Sequence, residues 1–345
     1  MSKKGIIWAA VYGSLLTGFT AYVMLDTFLL PKVLQSDATE MNMSMFEDIE
    51  PVTLAPQTET EEVTEPATES STEKRSKRRH GSDESTAPAE EASTSAVVSS
   101  EKSGEYTEYN DENISISLSE YYENDTKIYV ADIQLSSAQY LKTAFAKDAY
   151  GKNVTAKTSE TAAAKDAILA INGDYYGAKE SGYVIRNGVV YRDYGSADTD
   201  VLCIYADGSF GITNSGEKSA VELVEEGVWQ AFSFGPALIE NGSISVSEND
   251  EVGKAMASNP RTAVGMIDQL HYVFVVSDGR TSESEGLSLY ELAEFMEKLG
   301  VETAYNLDGG GSSTMYYDGQ VVNNPTTSGN SIKERSVSDI VYIGY

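Results

Sequence analysis

Residues 106–345 consist largely of short runs in which apolar and polar side chains alternate. Examples are ISISLSEYYENDTKIYVADIQL at 114–135, GYVIRNGVVYRD at 182–193 and RTAVGMIDQLHYVFVVSDGR at 261–280. Side chains of a strand point alternately to opposite faces, so this pattern predicts strands with one buried face. Asn-Gly and Asp-Gly pairs near the ends of the runs favour tight hairpin turns, which join antiparallel strands. The pattern therefore predicts a mostly antiparallel sheet core.

A few helices are predicted to cover this core. Residues 288–300 carry apolar side chains at helical spacing and end in Gly300, which is typical of a helix C-terminus. Shorter helical patterns occur at three other places, namely 138–146, 159–167 and 219–227. The segment contains no internal repeat and no clear break. Residues 106–345 are therefore expected to form one α+β domain.

The N-terminus carries an apolar run at residues 5–30, which is long enough to span a bilayer as a helix. Lys3 and Lys4 precede it, which favours a cytoplasmic N-terminus and places the remainder of the chain outside the cell. The alternative is a cleaved signal peptide, which normally has a shorter apolar region and a cleavage site between small residues. Residues 1–34 are interpreted as a cytoplasmic N-terminus and an uncleaved single-pass anchor in the cell membrane.

Residues 35–105 are rich in Ser, Thr, Glu and Pro and contain few large apolar side chains. Such a composition buries too little apolar surface to offset the entropy lost on ordering. We therefore predict a disordered stalk between the membrane anchor and the domain.

Charge and cysteine content exclude several classes of function. The chain has 54 acidic and 25 basic residues, a formal net charge of −29. Nucleic acid is therefore not expected as a partner, because its phosphates require neutralisation by Lys and Arg. Cys203 is the single cysteine, which rules out a disulfide within the chain. With only two histidines, a zinc site is not expected.

The segment YNLDGGGSSTMY at residues 305–316 combines a carboxylate, three consecutive glycines and three hydroxyl side chains. Consecutive amides in a glycine turn can form a concave nest that binds anions, and Ser312 and Ser313 add donors. Asp308 stands at the edge of this turn. The segment is interpreted either as a tight turn with flexible glycines or as an anion-binding loop.

Polar side chains also follow other apolar strands abruptly. They group into four breaks, which are Asn172 with Asp174, Tyr175 and Tyr176; Asn259 with Arg261; Asp278 with Arg280; and Asn306 with Asp308. Loops at strand ends are where binding and catalytic groups concentrate. Four breaks that combine carboxylates, arginines and an anion nest predict one shared site.

Several of these motifs resemble the phosphodiester glycosidase family. The resemblance rests on AINGDYYG, FGPALIENG, NPRTAVGM, VVSDGR, NLDGGGSSTM and ERSVSDIVYI in this order, and it covers about residues 160–345. Some members carry Gly-Phe-Phe where this chain has Asp174, Tyr175 and Tyr176. The resemblance implies an extracellular glycoside hydrolase that cleaves a sugar-1-phosphodiester in envelope polysaccharide or glycan. Its activity would be similar to that of the family's phosphodiester α-N-acetylglucosaminidases.

The resemblance also implies roles for the site residues. Asp308 would stabilise or attack the anomeric centre, with Asp174 or Asp278 as its partner. Sugar phosphate is a good leaving group, so binding of the departing phosphate matters more than protonation by an acid. Arginine suits this task because its guanidinium binds two phosphate oxygens at once. The phosphate would be held by Arg261, Arg280, Arg335, the amides of Gly309, Gly310 and Gly311, and Ser312 or Ser313. The sugar would be held by Asn172 and Asn306 through its hydroxyls and by Tyr175 or Tyr176 through stacking.

The chemistry requires no cofactor. A metal bound by Asp174, Asp278 and Asp308 would be Ca²⁺ or Mg²⁺, since these ions prefer oxygen ligands. Two other functions would use the same residues. One is a non-catalytic glycan-binding or wall-organising protein, and the other is a transferase that passes the sugar phosphate to an acceptor.

Overall fold

The computed structural model describes residues 3–34, 39–47, 49, 52–54, 102–105, 108–195, 199–250, 258–329 and 331–345. Most of the predicted stalk, including all of 55–101, lies outside the described residues. The helices in the described part are α1 (Lys3–Phe28), α2 (Thr158–Ala164), α3 (Ala220–Glu225) and α4 (Leu289–Lys298).

The described strands are short, and most join their neighbours through tight turns. They are β1 (Lys32–Val33), β2 (Lys102–Glu105), β3 (Tyr109–Asn110), β4 (Ile114–Glu123), β5 (Thr126–Leu135), β6 (Leu141–Phe145), β7 (Gly151–Lys152), β8 (Leu169–Asn172), β9 (Val184–Arg186), β10 (Val189–Arg192), β11 (Asp200–Tyr205), β12 (Phe210–Asn214), β13 (Val228–Phe232), β14 (Ala237–Glu240), β15 (Ser243–Ile244), β16 (Thr262–Asp268), β17 (His271–Ser277), β18 (Thr303–Asn306), β19 (Met315–Tyr317), β20 (Gln320–Val321) and β21 (Asp339–Ile343).

These strands form three larger sheets and one small ribbon. The largest has the order β15-β14-β18-β16-β17-β5-β4-β2, with β3 also on β4. Two five-stranded sheets have the orders β10-β9-β13-β11-β12 and β20-β19-β8-β21-β6, and β1 pairs with β7. Every pair of these strands is antiparallel. The predicted α+β fold with a mostly antiparallel sheet core is confirmed.

The main core lies where the three larger sheets meet. It joins Ile116 and Phe274 of the largest sheet to Leu202 of one five-stranded sheet and to Leu169 and Val341 of the other, and all five are buried. Full burial of such side chains stabilises the fold by roughly 1.5–3 kcal/mol each. The outer face of the largest sheet is covered by α4, whose apolar residues pack on β16 and β17.

Three of the four predicted helices are present, and the fourth is a strand. Residues 138–146 form one turn of 3-10 helix followed by β6, which pairs with β21 along five residues. The helix prediction for this segment was wrong because pairing with a strand about 200 residues later outweighs a weak local pattern. Helices α2, α3 and α4 lie where the apolar spacing predicts them, and α4 ends just before Gly300, whose φ is 79°.

The order of the largest sheet gathers three of the four predicted polar breaks at one end of its central strands. In the antiparallel register Thr262, at the start of β16, pairs with Val276 near the end of β17. Ala263 pairs with Asn306 at the end of β18. The chain segments that precede β16 and follow β17 and β18 therefore emerge side by side.

Helix α1 is long and apolar enough to cross a membrane, although a signal sequence has the same length and composition. The described residues 39–47 after it contact the domain, although composition assigned residues 35–105 to a stalk. Met41 is 5% exposed, and the Phe46 ring packs edge-on against Trp229 with 5.0 Å between ring centroids. The described residues 39–47 are therefore part of the domain surface.

Candidate active site

The glycine turn is built by close approach to two neighbouring loops. Gly310 has φ 63° and its amide donates to the carbonyl oxygen of Pro260 at 2.7 Å. A Cβ on Gly309 would lie 2.8 Å from that same oxygen, and one on Gly311 would collide with the hydroxyl of Thr327. The glycines therefore let the turn fit against its neighbours. The Gly310 amide, expected in the anion nest, is engaged by Pro260.

The carboxylate of Asp308 is held in a buried cluster beside this turn. Its Oδ2 accepts hydrogen bonds from Ser312 Oγ at 2.5 Å and from Arg335 Nη2 at 3.0 Å. Ser312 Oγ in turn accepts from Arg335 Nη2 and Nε at 2.6 and 3.0 Å. Within the described residues Asp308 Oδ1 accepts no hydrogen bond. One carboxylate oxygen is thus fixed and the other is available to a ligand.

Burial raises the pKa of Asp308, and the Arg335 guanidinium and the Ser312 hydroxyl oppose this shift. Asp308 is 8% exposed. A buried carboxylate resists ionisation unless nearby positive charge and hydrogen bonds compensate for the lost solvation. For Asp308, Arg335 and Ser312 provide both, and both lie on the side of Oδ2.

Asp308 lies at a cavity of about 170 Å³ between the strand ends. Its lining consists of Phe234, Asn259, Arg261, Arg280, Asn306, Leu307, Asp308, Gly309, Gly310 and Arg335. The predicted convergence of Asp308 with three arginines from distant loops is therefore present. Asp308 is the one acidic residue in this lining, as far as the described residues go.

Two guanidinium groups are held on this cavity close to each other. Arg280 donates through Nε and Nη2 to Asn259 Oδ1 at 3.2 and 2.8 Å, and through Nη1 to the Thr327 carbonyl oxygen at 2.7 Å. Burial lowers the pKa of Arg280, and so does the nearby charge of Arg335. Arg280 also has a φ of 61°, a strained conformation for a large side chain. Two like charges are thus held near each other on the cavity lining.

Arg261 reaches the same cavity from the start of β16. It is 3% exposed, and its Nε donates to the Leu287 carbonyl oxygen at 2.8 Å. Its backbone amide donates to Ser277 Oγ at 2.9 Å. Arg261 is thus more deeply buried than the exposed Arg280.

Asn306 offers an open acceptor in the cavity lining. Its Nδ2 donates to the Gly235 carbonyl oxygen at 2.8 Å, which fixes the orientation of the amide. Its Oδ1 is buried and has no hydrogen-bond partner among the described residues. Buried polar atoms are rarely left without a partner, so this oxygen suits a ligand hydroxyl.

Asn172 is placed behind the cavity and does not line it. Its Nδ2 donates to the Asp308 carbonyl oxygen at 2.6 Å. Its Oδ1 accepts from Thr262 Oγ1 at 2.9 Å and from the Thr314 amide at 3.2 Å. Asn172 therefore positions the backbone of the turn. Ser312 and Ser313 are also buried and lie outside the cavity lining, although Ser312 contacts Asp308.

Asp174 belongs to a buried ion-pair network away from the cavity lining. Its Oδ1 accepts from Arg186 Nη2 at 2.9 Å and its Oδ2 accepts from the Ser233 amide at 3.1 Å. Arg186 also donates through Nε to Asp339 Oδ2 at 2.9 Å, and all three charged groups are almost fully buried. Burial raises the pKa of Asp339, and Arg186 opposes that shift. In this arrangement Asp174 pairs with Arg186 and does not line the Asp308 cavity.

Replacing Asp174 by Asn is expected to lower the free energy of unfolding by about 3 kcal/mol, because breaking a buried ion pair leaves an uncompensated charge. The expected loss lies at the low end of the range for broken buried ion pairs, because Asp339 still pairs with Arg186. Urea unfolding of the full chain in detergent measures it, with Asp318→Asn at an exposed turn as the control. Unchanged stability together with lost turnover would instead place Asp174 in the chemistry.

Asp278 holds a neighbouring loop. Its Oδ1 accepts from the Asn324 amide at 2.8 Å, and its Oδ2 from Asn324 Nδ2 at 3.0 Å and Tyr129 OH at 3.4 Å. Burial raises the pKa of Asp278. It lines a separate cavity of about 380 Å³ together with residues 281–284.

The two tyrosines after Asp174 face different surroundings. Tyr176 is buried and stacks on Tyr150 with 5.2 Å between ring centroids. Tyr175 is 44% exposed and has a φ of 62°. Neither lines the Asp308 cavity.

The three carboxylates proposed as metal ligands therefore lie in separate surroundings. Among the described residues no group of three or more His, Cys, Asp or Glu side chains could hold a metal ion. Asp174, Asp278 and Asp308 do not form a shared oxygen cage.

Three residues near the cavity were not predicted as site residues. Asn259 orients Arg280, and the Phe234 ring forms part of the lining. Lys179 Nζ donates to the Ser233 carbonyl oxygen at 3.1 Å and lies 4.5 Å from the centroid of the Phe234 ring. Burial lowers the pKa of Lys179, opposed by the charges of Asp174 and Asp308. The polar break at 259 was a usable signal for Asn259, whereas Lys179 lies in a loop without any distinctive pattern.

Comparison with known proteins indicates the family of the chain. The model of the phosphodiester glycosidase family matches residues 165–344. The chain is 32% identical over 190 residues to the N-acetylglucosamine-1-phosphodiester alpha-N-acetylglucosaminidase of Homo sapiens. This match covers 50% of this chain and 36% of that protein. It is 28% identical over 186 residues to the SPbeta prophage-derived uncharacterized protein YomE of Bacillus subtilis (strain 168), covering 52% of this chain and 28% of that one.

A solved structure shares the fold. The catalytic domain of the zebrafish N-acetylglucosamine-1-phosphodiester alpha-N-acetylglucosaminidase, auto-inhibited by its pro-peptide, superimposes with a TM-score of 0.54 at 19% identity. The match covers 72% of this chain and 88% of that one. The curated relatives are longer proteins, of which this chain spans about a third.

Proposed function

The chain belongs to the phosphodiester glycosidase family, and on that basis we propose that it hydrolyses a sugar-1-phosphodiester at the anomeric carbon. We propose further that it does so outside the cell, anchored by α1, on a glycan or polysaccharide of the envelope. The observation that carries the proposal is the placement of Arg280 and Arg335 beside Asp308 in one cavity.

In the proposed reaction, the bond between the anomeric carbon and the phosphate oxygen breaks. The electron pair leaves with that oxygen, and water supplies a hydroxyl to the sugar and a proton to the solvent. Arg280 and Arg335 bind the departing phosphate, and guanidinium donors suit its oxygens. Asp308 stabilises or attacks the anomeric carbon as positive charge develops there. Asn306 Oδ1 accepts a sugar hydroxyl.

The absence of a second carboxylate from the described lining fits a phosphate leaving group. Most glycosidases use two carboxyl groups, one of which protonates the leaving oxygen. The phosphate of the diester leaves as a stable phosphomonoester anion, so electrostatic stabilisation can replace that acid. Asp174 and Asp278, predicted as partners of Asp308, are not required in this scheme.

The pH dependence of kcat/KM should follow Asp308. If the ionised carboxylate is the active form, the rate falls as pH drops through its pKa, and burial places this limb above the ordinary value of about 3.9. Arg335→Gln should move the limb to higher pH, because the guanidinium favours ionisation of Asp308. A rate that instead falls on the alkaline side of this pKa would make Asp308 a proton donor.

The test of function is release of free sugar by the full chain in detergent from synthetic sugar-1-phosphodiesters, beginning with the N-acetylglucosamine compound. Release of the sugar is the expected result. Binding without release would favour a non-catalytic glycan-binding protein. Transfer to an added alcohol in preference to water would favour a transferase.

A further inference from the structure

The chain contacts the domain almost immediately after α1. The helix ends at Phe28, and Lys32 and Val33 pair with Lys152 and Gly151. Asn153 Nδ2 donates to the carbonyl oxygens of Thr27 and Leu30 at 3.3 and 3.4 Å. The connection between the helix and the domain therefore has three residues, which span about 10 Å when extended.

A second set of contacts follows at residues 39–47. The amide of Val190 donates to the Thr39 carbonyl oxygen at 2.9 Å, and the amide of Met41 donates to the Gly188 carbonyl oxygen at 2.6 Å. The side chain of Met41 joins the buried cluster around Trp229. An aromatic contact such as that of Phe46 with Trp229 adds about 0.5–1.5 kcal/mol to the burial of the ring.

The chain also contacts the domain on both sides of the undescribed segment 55–101. The Val52 amide donates to the Ser136 carbonyl oxygen at 3.2 Å, and β2 pairs with β4 at residues 119–121. Both flanks of residues 55–101 are thus attached to the domain. The anchor is therefore joined to the domain through residues 29–31, which precede this segment. A flexible stalk of about 70 residues would instead have an average end-to-end distance of about 45 Å.

The attachment to the anchor lies close to the candidate active site. Leu34 lines a cavity of about 220 Å³ together with Tyr150, Tyr176 and Lys179. Lys179 also contacts the ring of Phe234, which lines the Asp308 cavity. A side chain that lines the cavity beside the anchor therefore contacts a side chain that lines the cavity of Asp308.

We propose that residues 29–34 and 39–47 seat the domain directly on the membrane beside its own anchor, and that its substrate is a sugar phosphodiester carried by a lipid of the same membrane. The substrate part rests on the proposed function. A domain held within about 10 Å of its anchor reaches headgroups of its own membrane, whereas a long stalk would direct it towards distant polymer.

The seating is tested by cutting the chain within residues 55–99. A site for a sequence-specific protease is inserted there in the full chain, in reconstituted vesicles. After complete cutting, the C-terminal fragment should sediment with the vesicles and come off only in urea. A cut variant with Met41→Ala and Phe46→Ala should come off at lower urea. Release of the unmutated fragment on cutting alone, or equal urea release of both forms, would overturn the seating.

The substrate class is tested with a lipid-carried sugar phosphodiester. It is supplied either in the vesicles that hold the protein or in separate vesicles, and Asp308→Asn serves as the inactive control. The rate should be at least ten times higher when protein and lipid share a vesicle. Equal rates would overturn the lipid substrate. Failure to cleave even a water-soluble sugar-1-phosphodiester would instead count against the proposed function.

Discussion

The Asp308→Asn variant is expected to lose turnover of a sugar-1-phosphodiester by at least about 10³-fold, within the range found for positioned catalytic groups. An amide at this position can neither attack the anomeric carbon nor stabilise positive charge there. Ser312 and Arg335 bind the Asp308 carboxylate in the wild-type chain. In the variant these two side chains should leave the cavity open to substrate. The loss should appear mainly in kcat, because Asp308 is assigned to the reacting carbon rather than to substrate affinity.

The fold of this variant should remain intact. Arg335 has 41% of its side chain exposed, so water can solvate the guanidinium once its partner is neutral. This differs from Asp174, whose partner Arg186 is buried. Asp318→Asn is the matched control, since it removes one carboxylate from an exposed turn ten residues away. Turnover is measured as sugar release and folding as far-UV circular dichroism. Wild-type turnover in Asp308→Asn would remove Asp308 from the mechanism.

The sheets could be predicted from the sequence because alternation and turn residues are local signals. The pair β4 and β5, for example, surrounds Asn124 and Asp125, which both adopt positive φ. Residues 138–146 could not be assigned locally, since their strand exists through pairing with β21. The attachment of residues 39–47 had a visible signal in Met41, Met43, Met45 and Phe46, an apolar group within an otherwise polar stretch.

The site was predicted in outline because its central turn is local. Asp308, Ser312 and the glycines fall within five residues, and Arg261 and Arg280 lie next to recognisable strands. The different surroundings of Asp174, Asp278 and Asp308 could not be predicted from the sequence. Asp174 meets Arg186 and Asp339, which come from different strands, and only the sheet order brings them together. A linear pattern cannot distinguish a carboxylate in a buried ion pair from one that faces a cavity.

The double variant Arg280→Gln/Arg335→Gln is expected to lose kcat/KM for a sugar-1-phosphodiester by about 10²–10⁴-fold. A hydrogen bond to a charged group contributes about 1.5–3 kcal/mol, and each factor of ten corresponds to about 1.4 kcal/mol. Both guanidiniums lie on the Asp308 cavity and sense each other's charge. A bound phosphate relieves this repulsion, so both arginines should contribute to the stability of the departing anion.

The choice of substrate distinguishes phosphate binding by the two arginines from a general effect on the site. A glycoside of the same sugar with a neutral leaving group has no phosphate for the arginines to bind, so the double variant should slow it far less than the diester. Lys333→Gln removes a positive charge from an exposed position two residues before Arg335 and should leave both rates near wild type. An equal loss on both substrates would mean that the arginines act through Asp308, since Arg335 contacts that carboxylate directly.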